Sequence, residues 1–151
     1  MVNAMLDLVK QETERIDSRF LEPACGDGNF LAEILRRKLA IVKSRYGKNT
    51  DYYERYAVIA ITSIYGVDIL QDNADECRTS MFEIFDNEYR VNCIKSHSDD
   101  TREAVRRILR RNILCGDALT MKKSDGKPII FSEWPMGWFT KGGCPKGLVQ
   151  K

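Results

Sequence analysis

Phe20-Leu21-Glu22-Pro23-Ala24-Cys25-Gly26-Asp27-Gly28-Asn29-Phe30-Leu31 is the stretch on which the fold turns. The apolar pair Phe20-Leu21 reads as a short strand, and Gly26-Asp27-Gly28 breaks it. Beyond the glycines, Phe30, Leu31, Ile34, Leu35, Leu39 and Val42 recur at helical spacing as far as Tyr46-Gly47. Strand, glycine turn and long helix in that order open a βα unit. Upstream, Ala4 or Met5, Leu8 and Val9 fall on one face of a helix predicted over Asn3 to Arg15.

Downstream the alternation continues. Asp51 is placed to cap a second helix through Tyr53, Tyr56, Ala57 and Ala60, and Ser63-Ile64-Tyr65-Gly66-Val67 then reads as a buried strand ending at Asp68. Asp72 or Asn73 opens a helix whose apolar set is Ala74, Cys77, Met81, Phe82, Ile84 and Phe85. Asp100-Thr101-Arg102-Glu103 has capping-box spacing and starts a helix through Val105, Ile108 and Leu109, just before a strand over Asn112 to Cys115 that Gly116-Asp117 ends. Lys122 to Lys127 is a polar turn and Pro128 to Phe131 a last apolar run. Strands separated by helical patterns predict an α/β fold with a partial, doubly wound parallel sheet, over one domain at residues 1–135. A flexible tail is expected over residues 136–151, where Gly, Pro and Lys recur without period.

Composition narrows the classes. A chain of 151 residues with 43% hydrophobic content supports one core. Its longest purely apolar stretch, Ala57 to Ile61, is far below the roughly 20 residues of a membrane span, and Met1 is followed by no signal-peptide pattern, so a soluble, cytoplasmic protein with no membrane partner is expected. Five cysteines without a C-x-x-C pair and a lone His97 point to reduced thiols and no metal site. A net charge of +2 neither demands nor excludes nucleic acid. Two basic clusters, Arg36-Arg37-Lys38 and Arg106, Arg107, Arg110 and Arg111, read first as solvated helix faces and second as phosphate contacts.

Three successive strand ends carry the chemistry: the glycine turn, Asp68 and Asp117. In a parallel sheet all three lie on one edge, beyond the carboxyl ends of the strands, where ligands bind. A glycine turn lets backbone approach a bulky ligand, an acid at the second strand end accepts both hydroxyls of a ribose, and an acid at the third can accept from an exocyclic amine. Asp68 lies about forty residues after the glycines instead of about twenty, which the additional helix over Asp51 to Thr62 explains. A nicotinamide or flavin dinucleotide site is the competing assignment, but Leu31 replaces the third glycine of G-x-G-x-x-G.

The Phe20 to Leu31 run resembles the first motif of adenine-N6 DNA methyltransferases of restriction-modification systems, Gly66-Val67-Asp68-Ile69 resembles their second, and Cys115-Gly116-Asp117-Ala118-Leu119 their third. The resemblance spans residues 2–120 and implies a Rossmann-like methyltransferase fold with S-adenosylmethionine as cofactor. By that resemblance Ala24, Cys25, Gly26 and Gly28 line the methionine portion, Asn29 and Phe30 close the loop, and Glu22 orients it or meets the amino group. Asp68 would hold the ribose, Ile69 would pack on the adenine, and Asp117 with Ala118 would bind the adenine amine.

The family transfers methyl directly to the N6 amine of a flipped-out adenine, in a pocket of the form Asn/Asp-Pro-Pro-Tyr/Phe/Trp. No such tetrapeptide occurs, and Ser132-Glu133-Trp134-Pro135 has the elements in the wrong order. No catalytic residue is therefore assigned. Trp134 and Trp138 are first expected to pack, Cys25 and Cys115 to be inert, and His97 to be solvated. The chain reads as the cofactor-binding portion of a larger enzyme, with DNA as partner through the full enzyme or another subunit. The alternative is a non-catalytic module whose unpaired first strand recruits another chain, including a second copy.

Overall fold

The computed structural model describes Asp7 and residues 10–134. Of the helix expected over Asn3 to Arg15, the described part is a helical Asp7 and α1, Lys10–Thr13. The expected tail, with Trp138, lies outside the described residues. The remaining elements are β1 (Phe20–Glu22), α2 (Asn29–Tyr46), α3 (Thr50–Thr62), β2 (Ile64–Asp68), α4 (Gln71–Asn92), α5 (Asp99–Asn112) and β3 (Ile113–Cys115).

The strands form a parallel sheet in the order β1-β2-β3. Phe20 is level with Ile64 and Glu22 with Gly66, while Gly66 is level with Ile113 and Asp68 with Cys115. Every residue of β2 is buried, as the central strand of a parallel sheet must be. The four long helices touch one another directly, α2 against α3 and α4, and α5 against α3 and α4, so they share one side of the sheet. Crossovers of a single hand that advance in one direction require this. The fold is thus α/β with a three-stranded parallel sheet, consistent with part of a Rossmann-like sheet. The strand order contains no reversal among the described residues, so the second winding of a doubly wound sheet is not among them.

The other face is covered differently. Side chains alternate along β2: Gly66 faces α2, and Tyr65 points the opposite way. After β3 the chain turns through Lys122 to Pro128 and runs back as an extended strap over residues 129–134. Ile129 is buried at Gly116, Phe131 meets the Tyr65 ring edge-on at 5.4 Å, and the Tyr65 hydroxyl donates to Ser132 O at 2.9 Å. Trp134, buried as expected, donates its indole N–H to Asn112 Oδ1 at 2.8 Å. Asn112 in turn donates to Ile64 O at 3.0 Å, so the strap is anchored at the beginning of β3. No described helix is long and apolar enough to cross a membrane.

Three local expectations are corrected. Asn49, not Asp51, caps α3, accepting from Tyr52 N–H at 3.1 Å; Ser98, not Asp100, caps α5, accepting from Thr101 N–H at 3.2 Å. In both cases the acid occupies the first turn, where the helix dipole favours it equally well, and the true cap lies two residues earlier. Lys38 is not on a solvated face. It follows Ile34 by four residues and therefore lies on the buried stripe of α2, fully inaccessible. Its ammonium donates to Ile16 O at 3.0 Å, to Ser18 O and to Ser63 Oγ, tying the segment before β1 to the start of β2.

Burial pulls the Lys38 ammonium down to about 7, with Asp17 acting in the opposite direction. The unfolded chain, where lysine keeps its ordinary 10.5, binds that proton more tightly, so unfolding free energy should rise with pH above about 7. Urea melts between pH 7 and about 9 should show this rise in the native protein and its absence in Lys38→Met. Level stability in the native protein across that interval would refute the assignment.

Candidate functional site

The three predicted strand ends meet. Adjacent parallel strands lie about 4.8 Å apart, so the ends of β1, β2 and β3 span about 10 Å. Cys25 N–H donates to Val67 O at 2.9 Å, which carries the β1–β2 ladder into the glycine turn. Gly116 N–H donates to Asp68 O at 2.8 Å, which extends the β2–β3 ladder to the residue before Asp117.

Asp68 joins these pieces. Its Oδ2 accepts from Gly26 N–H at 2.9 Å, and its Oδ1 accepts from Leu70 N–H at 2.9 Å and from the Asn73 side-chain amide at 3.1 Å. Burial alone would raise the pKa of this carboxyl, but donation from Leu70, Asn73 and Gly26 outweighs it and holds the group below the usual carboxylate range. Asp72 or Asn73 is expected to open this helix; instead α4 begins at Gln71, its N-cap is Leu70, which has no side chain able to cap, and the Asn73 amide is turned toward Asp68. Sequence spacing gave no signal for this partner, since a short polar residue near a helix start ordinarily reads as a cap.

The glycine turn needs its glycines for two different reasons. Gly26 and Gly28 both have positive φ, at 55° and 92°. A Cβ at Gly26 would meet nothing within 4 Å, whereas one at Gly28 would lie 2.8 Å from Cys77 Sγ. The turn is therefore open on the Gly26 side and packed on α4 at Gly28. Asp27 accepts from Asn29 N–H at 3.2 Å and from the Asn29 side chain at 3.0 Å, closing the start of α2. Glu22 accepts from Ala24 N–H at 3.0 Å, bracing the turn at its other end. Ala24 is exposed, Cys25 is buried, and Phe30 is half-buried against the core. The Cys25 thiol is lowered by a hydrogen bond with Cys77 and the Cys77 thiol correspondingly raised.

Gly66 supplies what the missing third glycine would have supplied. A Cβ there would lie 2.8 Å from Leu31 Cδ1 and 3.0 Å from Cys25 Cβ. The close approach of helix to sheet is thus made with the small residue on the strand and the leucine on the helix. At the outer rim, Ile69 is 70% exposed and Leu119 is 96% exposed. Asp117 and Ala118 are half-buried, and Asp117 Oδ1 accepts from Leu119 N–H at 2.8 Å. Chemically, the arrangement offers an open backbone turn, two carboxylates at neighbouring strand ends and an apolar ledge beside them. His97 lies away from it: its Nδ1 accepts from Arg102 Nη2 at 3.0 Å, so it is exposed but not free of partners.

Gly66→Ala should lower stability by about 1–3 kcal/mol, because Leu31 and Cys25 are backed by core and cannot yield. Chemical denaturation would measure it, and a loss below about 0.5 kcal/mol would show that the turn is not packed as described. Scans against family models, curated proteins and solved structures returned no match to this chain.

Proposed function

We propose that the chain binds S-adenosylmethionine at the carboxyl edge of its sheet and is the cofactor-binding portion of a DNA adenine-N6 methyltransferase. The observation that carries this reading is the convergence of an open glycine turn, Asp68 and Asp117 on one edge, in the order of the three motifs that the sequence resembles. The residues fit the group. The open side of Gly26 admits a ligand to the backbone, and exposed Ile69 offers an apolar surface for a purine next to an acid.

When bound, the cofactor supplies an electrophilic methyl group on its sulfonium. Ala24, Cys25, Gly26 and Gly28 would hold its methionine portion through backbone groups, with Asn29 and Phe30 fixing the loop and Glu22 facing the amino group. Asp68 would accept from the ribose hydroxyls, and Asp117 beside Ala118 would accept from the adenine amine. An ionised carboxylate offers about four acceptor positions, and Asp68 has three donors already. A two-hydroxyl contact therefore requires Asn73 to give way. Methyl transfer to adenine belongs to the full enzyme, where an aromatic, acceptor-lined loop would hold the flipped base.

Asp68 braces the turn as well as facing the ligand, so Asp117→Ala is the cleaner test. Titration calorimetry with S-adenosylmethionine and with its demethylated product should detect binding that falls about tenfold or more in Asp117→Ala, the loss of one charged hydrogen bond. Folded protein that releases no heat with either compound removes the cofactor assignment.

A second reading, a module that pairs with another copy, is favoured by the outer edge of β1, which has no strand neighbour among the described residues. Leu21 is 55% exposed there, beside a groove of about 260 Å³ lined by Phe20, Leu21, Tyr65 and Phe131. Light scattering after size-exclusion chromatography should give a dimer mass on this reading, and a monomer at high concentration would exclude it.

A further inference from the structure

Two sulfurs meet behind the glycine turn. The turn folds back on itself, with Gly28 N–H donating to Cys25 O at 2.9 Å. Against it α4 comes so close that a Cβ at Gly28 would lie 3.0 Å from Cys77 Cα and 2.8 Å from Cys77 Sγ. The Cys25 side chain turns inward over β2, where a Cβ at Gly66 would lie 3.3 Å from its Sγ. The two thiols are hydrogen-bonded to each other, with Cys77 as donor. Residues far apart along the chain thus hold their sulfurs in contact across the joint between turn and helix.

The other described cysteines lack a thiol partner. Cys93 Sγ lies 3.7 Å from Thr50 O, and Cys115 Sγ lies 3.4 Å from Ile69 O, so each sulfur meets a main-chain carbonyl. Met81 Sδ, 4.0 Å from Cys77 Sγ, is a thioether and cannot be cross-linked. Small buried cysteines read as inert, and Cys93, which burial pushes up to about 11, conforms. Cys25 differs. Donation from Cys77 outweighs both its burial and the charges of Asp68 and Glu22, and so favours the thiolate, the form that attacks an oxidant. Cys25 keeps 5% exposure, and Gly26 beside it opens on space where a Cβ would meet nothing within 4 Å. Cys77 is fully inaccessible, which suits a resolving thiol that meets only its partner.

We infer that Cys25 and Cys77 form a redox latch, a thiol pair that a hydroperoxide closes to an intramolecular disulfide fixing the glycine turn to α4. Cys25, having given its proton to solvent, attacks one peroxide oxygen; the S–O bond forms and the O–O bond breaks, leaving a sulfenic acid. The departing hydroxide takes the Cys77 proton and becomes water. Cys77 sulfur then attacks Cys25 sulfur, the S–S bond forms, the S–O bond breaks, and the second hydroxide takes a proton from solvent. The thiols lose two electrons in all, and the peroxide that accepts them ends as two waters. In the reduced chain the turn meets α4 through packing and one weak hydrogen bond, and in the oxidised chain through a covalent bond. The chemistry is indifferent to what the carboxyl edge binds.

The test is to treat the folded full chain with hydrogen peroxide, block remaining thiols, digest without reductant and map the peptides. A Cys25–Cys77 peptide should dominate, with loss of two thiols that dithiothreitol restores. Because the link closes a loop of about fifty residues, the oxidised chain should melt about 5 °C or more above the reduced one. Cys25→Ala and Cys77→Ala should each abolish both the link and the rise, whereas Cys144→Ser, outside the described residues, should keep both. Mapping of the unsubstituted chain decides the matter even where a variant fails to fold. Sulfinic acid at Cys25 in place of the link, a disulfide joining either residue to another cysteine, or peroxide consumed with both thiols still free overturns the inference.

Discussion

The structure depends first on one buried carboxylate. Asp68 stands at the end of the central strand and takes hydrogen bonds from the glycine turn after β1, from the backbone entering α4 and from the Asn73 side chain. Its main-chain carbonyl meanwhile receives the N–H of Gly116 beyond β3. Backbone donors in a turn have no ladder to satisfy them, and leaving them buried without partners would cost about 1–3 kcal/mol each. A carboxylate in the middle of the sheet answers several of them at once. The relative placement of all three strand ends follows from that residue, and with it the geometry of the candidate site.

Around this centre the packing is complementary in size. Leu31 enters from α2 where Gly66 leaves room, and Gly28 clears Cys77 on α4. Helix and sheet approach closely without the third glycine of a dinucleotide loop, because the small residue has been moved to the strand. On the opposite face the work of a covering layer is done by a strap over residues 129–134, in which Ile129, Phe131 and Trp134 seat successively against Gly116, Tyr65 and Asn112. That short cover leaves the outer edge of β1 without a described neighbour.

Much of this was legible along the chain. Every long helix and each strand was located by apolar period and by glycine or acid punctuation, since burial on one face imposes that period directly. The strand-end positions of Asp68 and Asp117 were legible for the same reason: a parallel sheet brings successive carboxyl ends to one edge whatever the intervening helices do. Boundaries were less legible. Asn49 and Ser98 lost to Asp51 and Asp100 because caps and first-turn acids carry overlapping signals. Lys38 was misjudged because a basic triplet reads as solvent-facing, whereas its angular position on α2 is inside.

The sequence by itself determined the alternation of strands and helices and the glycine turn, because these follow from local period and from backbone conformations that glycine alone adopts readily. It also placed acids at the ends of the second and third strands. Only the tertiary structure decided how those groups are engaged: that Asp68 braces the turn it faces, that Asn73 serves Asp68 instead of capping a helix, and that Gly66 answers Leu31. It also decided that Arg106 of α5 lies over the Phe82 ring of α4. Apart from Asn73, which stands five residues from Asp68, each of these pairings joins elements distant along the chain, and no local period encodes which distant partner will stand opposite a given side chain once the sheet and helices are packed.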